Sequence, residues 1–176
     1  MSGALVILLA GAVAAGRSGV SAQKLHVWDV AAKPDHFTVT VTPATLTFTA
    51  TNPGTAPVVA AGWPTVVSWQ VVSGGSNWSL RVKADSPRFA NCPTVPISAV
   101  TVSCASASVV PAGGTSGCSG PFALSTADTQ VAGGSEGPVA YAYSVTINFT
   151  LADSWKYIAQ TNPLCFLSLT YKADVP

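Results

Sequence analysis

The chain has 176 residues, with eight Lys and Arg against seven Asp and Glu, and only 9% of its residues are charged, where a typical soluble protein has about 25%. That length supports one domain with a sizeable core and is short for two. The basic residues are scattered, with Lys83 and Arg88 on either side of Asp85, so nucleic acid finds no basic patch, and weak self-repulsion makes association between copies an expectation.

The N-terminus reads ALVILLAGAVAAGRSGVSAQ, an apolar run from Ala4 to Ala15 followed by small residues and a Val-Ser-Ala step ending at Ala22. This is the pattern of a secretory signal, and the run is too short for the roughly 20 apolar residues of a membrane-spanning helix. Cleavage after Ala22 is expected, leaving a single domain over residues 23–176. The pattern departs from type in one respect: the first basic residue, Arg17, follows the apolar run instead of preceding it, which leaves Met1 open as the true start. Removing Arg17 with the signal brings the eight basic residues to seven, equal to the seven acidic ones.

Short alternating runs follow in order: KLHVWDV (24–30), FTVTV (37–41), TLTFTAT (45–51), TVVSWQVV (65–72), WSLRVKA (78–84), ISAVTVSCASASVV (97–110), YAYSVTINFTL (141–151) and CFLSLTY (165–171). Alternation over four to eight residues is the mark of a half-buried strand. The connectors between them, among them NPGTAP, DSPRFANCP, PAGGTSG and GGSEGP, are rich in Gly, Pro, Asn and Ser, which suit turns. The stretch ADSWKYIAQTNP reads as a crossover between sheets, with room for a helical turn. Short strands divided by turn clusters predict an all-β, two-sheet antiparallel sandwich of immunoglobulin-like type, stabilised by disulfides.

Four cysteines in an exported chain predict two disulfides. Three pairings are open; a hairpin turning at PAGG (111–114) favours Cys104 with Cys118, leaving Cys92 with Cys165. No Cys-x2-Cys knuckle occurs, which argues against zinc. His26 and His36, the two imidazoles, could combine with Asp29 and Asp35 in a nitrogen–oxygen metal site, but polar positions on or beside a strand account for them as well. A blue-copper site lacks its axial Met, since Met1 is the single methionine. The carboxylates are scattered, and none pair for glycoside hydrolysis. No catalytic residue, cofactor or metal is expected, and the protein reads as a non-enzyme.

Of the five tryptophans, Trp69 and Trp78 alternate with apolar neighbours and read as core. Trp63 in AAGWPT and Trp155 in DSWKY fall in connectors, where an exposed indole can stack on a sugar; they are the candidate glycan contacts. NWS at Asn77 and NFT at Asn148 match the N-glycosylation tripeptide. The Trp-x-Leu step of Trp78 and Leu80, with Phe149 and Leu151 far downstream, resembles the two-motif layout of WxL-type bacterial cell-surface domains. Phe149 stands where that family has its second tryptophan. The resemblance implies a secreted sandwich held at a cell envelope, in that family by peptidoglycan.

The leading expectation is an extracellular structural subunit, a filament or surface-layer component whose partners are copies of itself. Strand donation by QKLHVWDV would use Leu25, Val27 and Trp28 as anchors. The alternative is a secreted carbohydrate- or cell-wall-binding module, with polysaccharide as the partner.

Overall fold

The structure is a computed structural model describing residues 5–7, 19–23, 25–27, 39–49, 51–71, 77–110, 113–135, 141–157 and 165–174; for 5–7, 19–23, 25–27, 71 and 141 the description is of backbone alone. In chain order the strands are β1 (Leu5–Ile7), β2 (Gly19–Gln23), β3 (Leu25–Val27), β4 (Val39–Thr42), β5 (Thr45–Thr49), β6 (Val58–Ala60), β7 (Thr65–Val71) and β8 (Asn77–Ala84). They continue with β9 (Arg88–Phe89), β10 (Cys92–Pro96), β11 (Val100–Val110), β12 (Gly117–Cys118), β13 (Phe122–Ala123), β14 (Thr129–Ser135), β15 (Tyr141–Ala152) and β16 (Leu169–Asp174).

Among the described residues these strands form two main sheets. One runs β1-β3-β16-β8-β14-β12; the other runs β13-β11-β15-β7-β4, with β6 also on β15. Two-residue alternation supplies the reason they pack face to face. On β8, Trp78, Leu80, Val82 and Ala84 are buried. On β15, Tyr143, Val145, Ile147, Phe149 and Leu151 are buried, while Asn148 is exposed. The two apolar faces close into one core. At its centre Trp69 of β7 stacks on Tyr143 at 5.0 Å and meets Trp78 of the opposite sheet edge-on at 5.7 Å. The all-β sandwich expected from the sequence is thus the observed architecture.

Several details differ from the sequence reading, each for a local reason. Ile97–Ala99 forms a short 3-10 helix instead of the start of a strand, closed by the Val100 N–H donating to Ile97 O. The long β11 changes phase at a bulge between Cys104 and Ser106, so Val100 and Val102 before it and Ala107 and Val109 after it all turn inward. A second bulge on β14, between Gln130 and Ala132, lets Val131 and Ala132 both be buried. The β3–β16 ladder is parallel in an otherwise antiparallel sheet. Strand β1, LVI, lies in the apolar N-terminal run and pairs with β3, and β2, GVSAQ, follows that run and pairs with β5.

The disulfides are Cys92–Cys165 and Cys104–Cys118. The hairpin invoked for the second does not form: β11 belongs to one sheet and β12 to the other, so the Cys104–Cys118 bond ties the sheets together. The crossover after β15 does change sheets, since β16 lies in the opposite one, and its described part, residues 153–157, is a turn. No helix among the described residues is long and apolar enough to cross a membrane.

Candidate functional site

Strands β6 and β7 lie end to end along one edge of β15. Val58–Ala60 pairs with Ala152 back to Thr150, and Thr65–Val71 pairs with Ile147 back to Tyr141. Four residues, Ala61–Pro64, therefore face only Asn148 and Phe149, and the surplus must leave the ladder. Ala61 N donates to Phe149 O at 2.9 Å, which pins the start of the excursion, and Pro64 cannot donate to a ladder at its end. The chain is forced outward, and Trp63 stands on the excursion 82% exposed.

Under this loop lies the outward face of the sheet. Ser103 and Thr101 of β11 sit opposite Asn148 and Thr150 of β15 in register. Loop and strands enclose a groove of about 290 Å³, with Trp63 and Pro64 on one wall and Ser103, Asn148 and Thr150 among its floor residues. Among the described residues the lining holds no Asp, Glu, His, Lys or Arg. It offers a flat aromatic face, hydroxyls and an amide, which serve stacking and hydrogen bonding; it offers no group to move a proton near neutral pH.

Trp63 and Trp155, the exposed tryptophans among the described residues, are not brought together. Trp155, 75% exposed, follows β15 in a turn built on Asp153. The Asp153 N–H donates to Pro57 O at 2.7 Å, its Oδ1 accepts from the Ser154 N–H at 2.8 Å, and its Oδ2 accepts from the Thr51 N–H at 3.2 Å. That turn begins five residues beyond Asn148, roughly 16 Å of strand, and Trp155 does not line the groove. Beside it, partial burial and then the Asp153 carboxylate push the Tyr157 phenol up from its ordinary range.

Leu25 and Val27 lie in β3, level with Leu169 and Tyr171 of β16; Trp28 lies outside the described residues. His26 is in β3 level with Thr170, while Asp29, Asp35 and His36 lie outside the described residues, and no cluster of three metal-binding side chains occurs among those described. Trp78, Leu80, Phe149 and Leu151, the residues of the WxL-like pattern, are all core. The Trp78 indole N–H donates to Thr115 O at 3.1 Å. Asn77 and Asn148 are both exposed.

Ser103, Asn148 and Thr150 escaped the sequence reading as binding groups. Each sat on the polar side of an alternating run, but only the β11–β15 register and the Ala61–Pro64 excursion make them one surface.

Comparison with protein-family models, with curated proteins and with solved structures gave no match to this chain.

Proposed function

We propose that the protein is a non-enzymatic extracellular structural subunit, an immunoglobulin-like sandwich exported by residues 1–22 and assembled at the cell surface by strand addition between copies. The observation that carries this reading is the pairing of β5. Among the described residues its ladder partner is β2, and four of the five β2 residues, 19–22, belong to the segment expected to be removed on export. Leu46 and Phe48 of β5 are buried in the full chain, and export would take away the strand paired with them. An edge of unpaired N–H and C=O groups is a template for another strand.

The donor is the new N-terminus, residues 23–30 of a second copy, with Leu25, Val27 and Trp28 as its anchors. Within its own subunit Leu25–Val27 is held on β16 by a parallel ladder of three residue pairs, the less stable kind per residue, and β1 on its other side leaves with the signal. Exchange therefore replaces a short parallel ladder with an antiparallel one. Each copy both gives and receives, and such a head-to-tail contact builds an open filament. The scarcity of charge, with seven acidic and seven basic residues left after export, opposes association little, and the two disulfides suit an oxidising compartment. The WxL-like pattern supports a place at the envelope.

The test is deletion of residues 23–30 from the exported chain, followed by light scattering and near-UV circular dichroism. A folded but monomeric product supports strand donation. Assembly undiminished by the deletion, or loss of the folded signal, overturns it. A second reading, a secreted carbohydrate- or cell-wall-binding module, is favoured by the groove beside Trp63.

A further inference from the structure

We infer that the groove between the Ala61–Pro64 excursion and the outward face of β11 and β15 is a binding site for an uncharged sugar residue of a polysaccharide, with Trp63 as its stacking face and Asn148, Ser103 and Thr150 as its hydrogen-bonding floor. The inference goes beyond strand assembly and does not depend on it: among the described residues, neither the donor segment nor β5 lines the groove.

Three features converge. Trp63 is a large apolar side chain held 82% in solvent by a loop the ladder expels, while Trp69 and Trp78 are buried at 2%. A bulge beside a sheet commonly re-aims a side chain next to a binding site, and an indole is a rigid platform with little rotamer entropy to lose on binding. Secondly, the polar groups under it reach solvent: Asn148 is exposed, and Ser103 and Thr150 are half-buried. An amide and two hydroxyls offer both donors and acceptors, which match the vicinal hydroxyls of a pyranose.

Thirdly, the described lining is uncharged. A phosphate or carboxylate ligand would be desolvated there without a cationic partner, an arrangement that weakens binding. A nucleotide would stack its base on Trp63 but find no Lys or Arg for its phosphate. A sugar ring suits both halves of the site: its C–H face carries the partial positive charge that the negative face of an indole attracts, and its hydroxyls need only neutral partners. At about 290 Å³ the groove lies at the small end of ligand sites, which suits a single sugar ring.

The experiment is titration of the exported protein, and of its Trp63→Ala, Asn148→Ala and Trp155→Ala variants, with cellotetraose, chitotetraose, mannotetraose and maltotetraose, followed by tryptophan fluorescence and amide chemical shifts. At least one neutral tetrasaccharide should bind, with shifts at Ser103, Asn148 and Thr150. Affinity should fall at least tenfold in Trp63→Ala and severalfold in Asn148→Ala, and hold in Trp155→Ala. Absence of binding by all four, binding that survives Trp63→Ala, or preference for a proline-rich peptide of equal length overturns the inference. So does a native protein whose intact mass shows a glycan attached at Asn148, since that glycan would itself occupy the groove. Failure here with assembly intact leaves strand donation standing, and the reverse outcome leaves the groove standing.

Discussion

At the scale of single residues, the most constrained point is the cap over Trp78. A Cβ built on Gly134 would lie 1.9 Å from Thr115 O and 2.9 Å from the Trp78 indole nitrogen, so the backbone of residue 115 and the Trp78 N–H meet only because position 134 has no side chain. Gly134→Ala should destabilise the fold by on the order of 1–3 kcal/mol, the usual range for overpacking, measured by urea denaturation. Trp78→Ala should cost about 3–5 kcal/mol through the cavity it leaves. Little loss in either would show that the Thr115 segment does not depend on this contact. Tyr171 supplies a pH dependence: complete burial raises its phenol above the ordinary value of 10.0. The folded state then keeps a proton that the unfolded chain releases, so stability is full below about pH 10 and falls as the pH rises beyond it. Tyr171→Phe should flatten that alkaline decline in denaturation midpoints; an unchanged decline would assign it to other groups.

At the scale of elements, alternation identified the strands that have one wet and one dry face. The strands read as TVVSWQVV, WSLRVKA and YAYSVTINFTL form because Trp69, Trp78 and Tyr143 fall in phase with their apolar neighbours and meet across the core. What alternation misses are pieces too short to show a period or broken by bulges. Val58–Ala60 has three residues; Thr129–Ser135 loses its phase where Val131 and Ala132 both turn inward; and Arg88–Phe89 with Cys92–Pro96 is a two-stranded ladder inside what reads as a Pro-rich connector. The groove was half legible for the same reason. The solvent position of Trp63 follows from its Gly and Pro neighbours, but its partners depend on a register that no local pattern carries. The disulfides offer an element-scale prediction. Their sequence separations are 73 and 14, and the denatured chain is constrained more by the longer loop. Replacing Cys92 and Cys165 together by Ser should therefore lower the unfolding temperature more than replacing Cys104 and Cys118, with each pair costing about 2–5 kcal/mol. The reverse order would point to the sheet-to-sheet tie at Cys104 as the more important constraint.

At the scale of the whole molecule, two surfaces divide the proposed work. The N-terminal segment and β5 form an edge that export would uncover, and the Trp63 groove lies on the outward face of the second sheet. A filament whose subunits each carry such a groove would present one sugar site per repeat, so weak single contacts would add by multivalency. Assembly by strand donation is tested by negative-stain electron microscopy of the native exported protein, isolated without reducing agent. Strand donation gives regular filaments that disperse when residues 23–30 are absent. A field of single particles at every concentration, from a protein with the same folded near-UV spectrum, would contradict it.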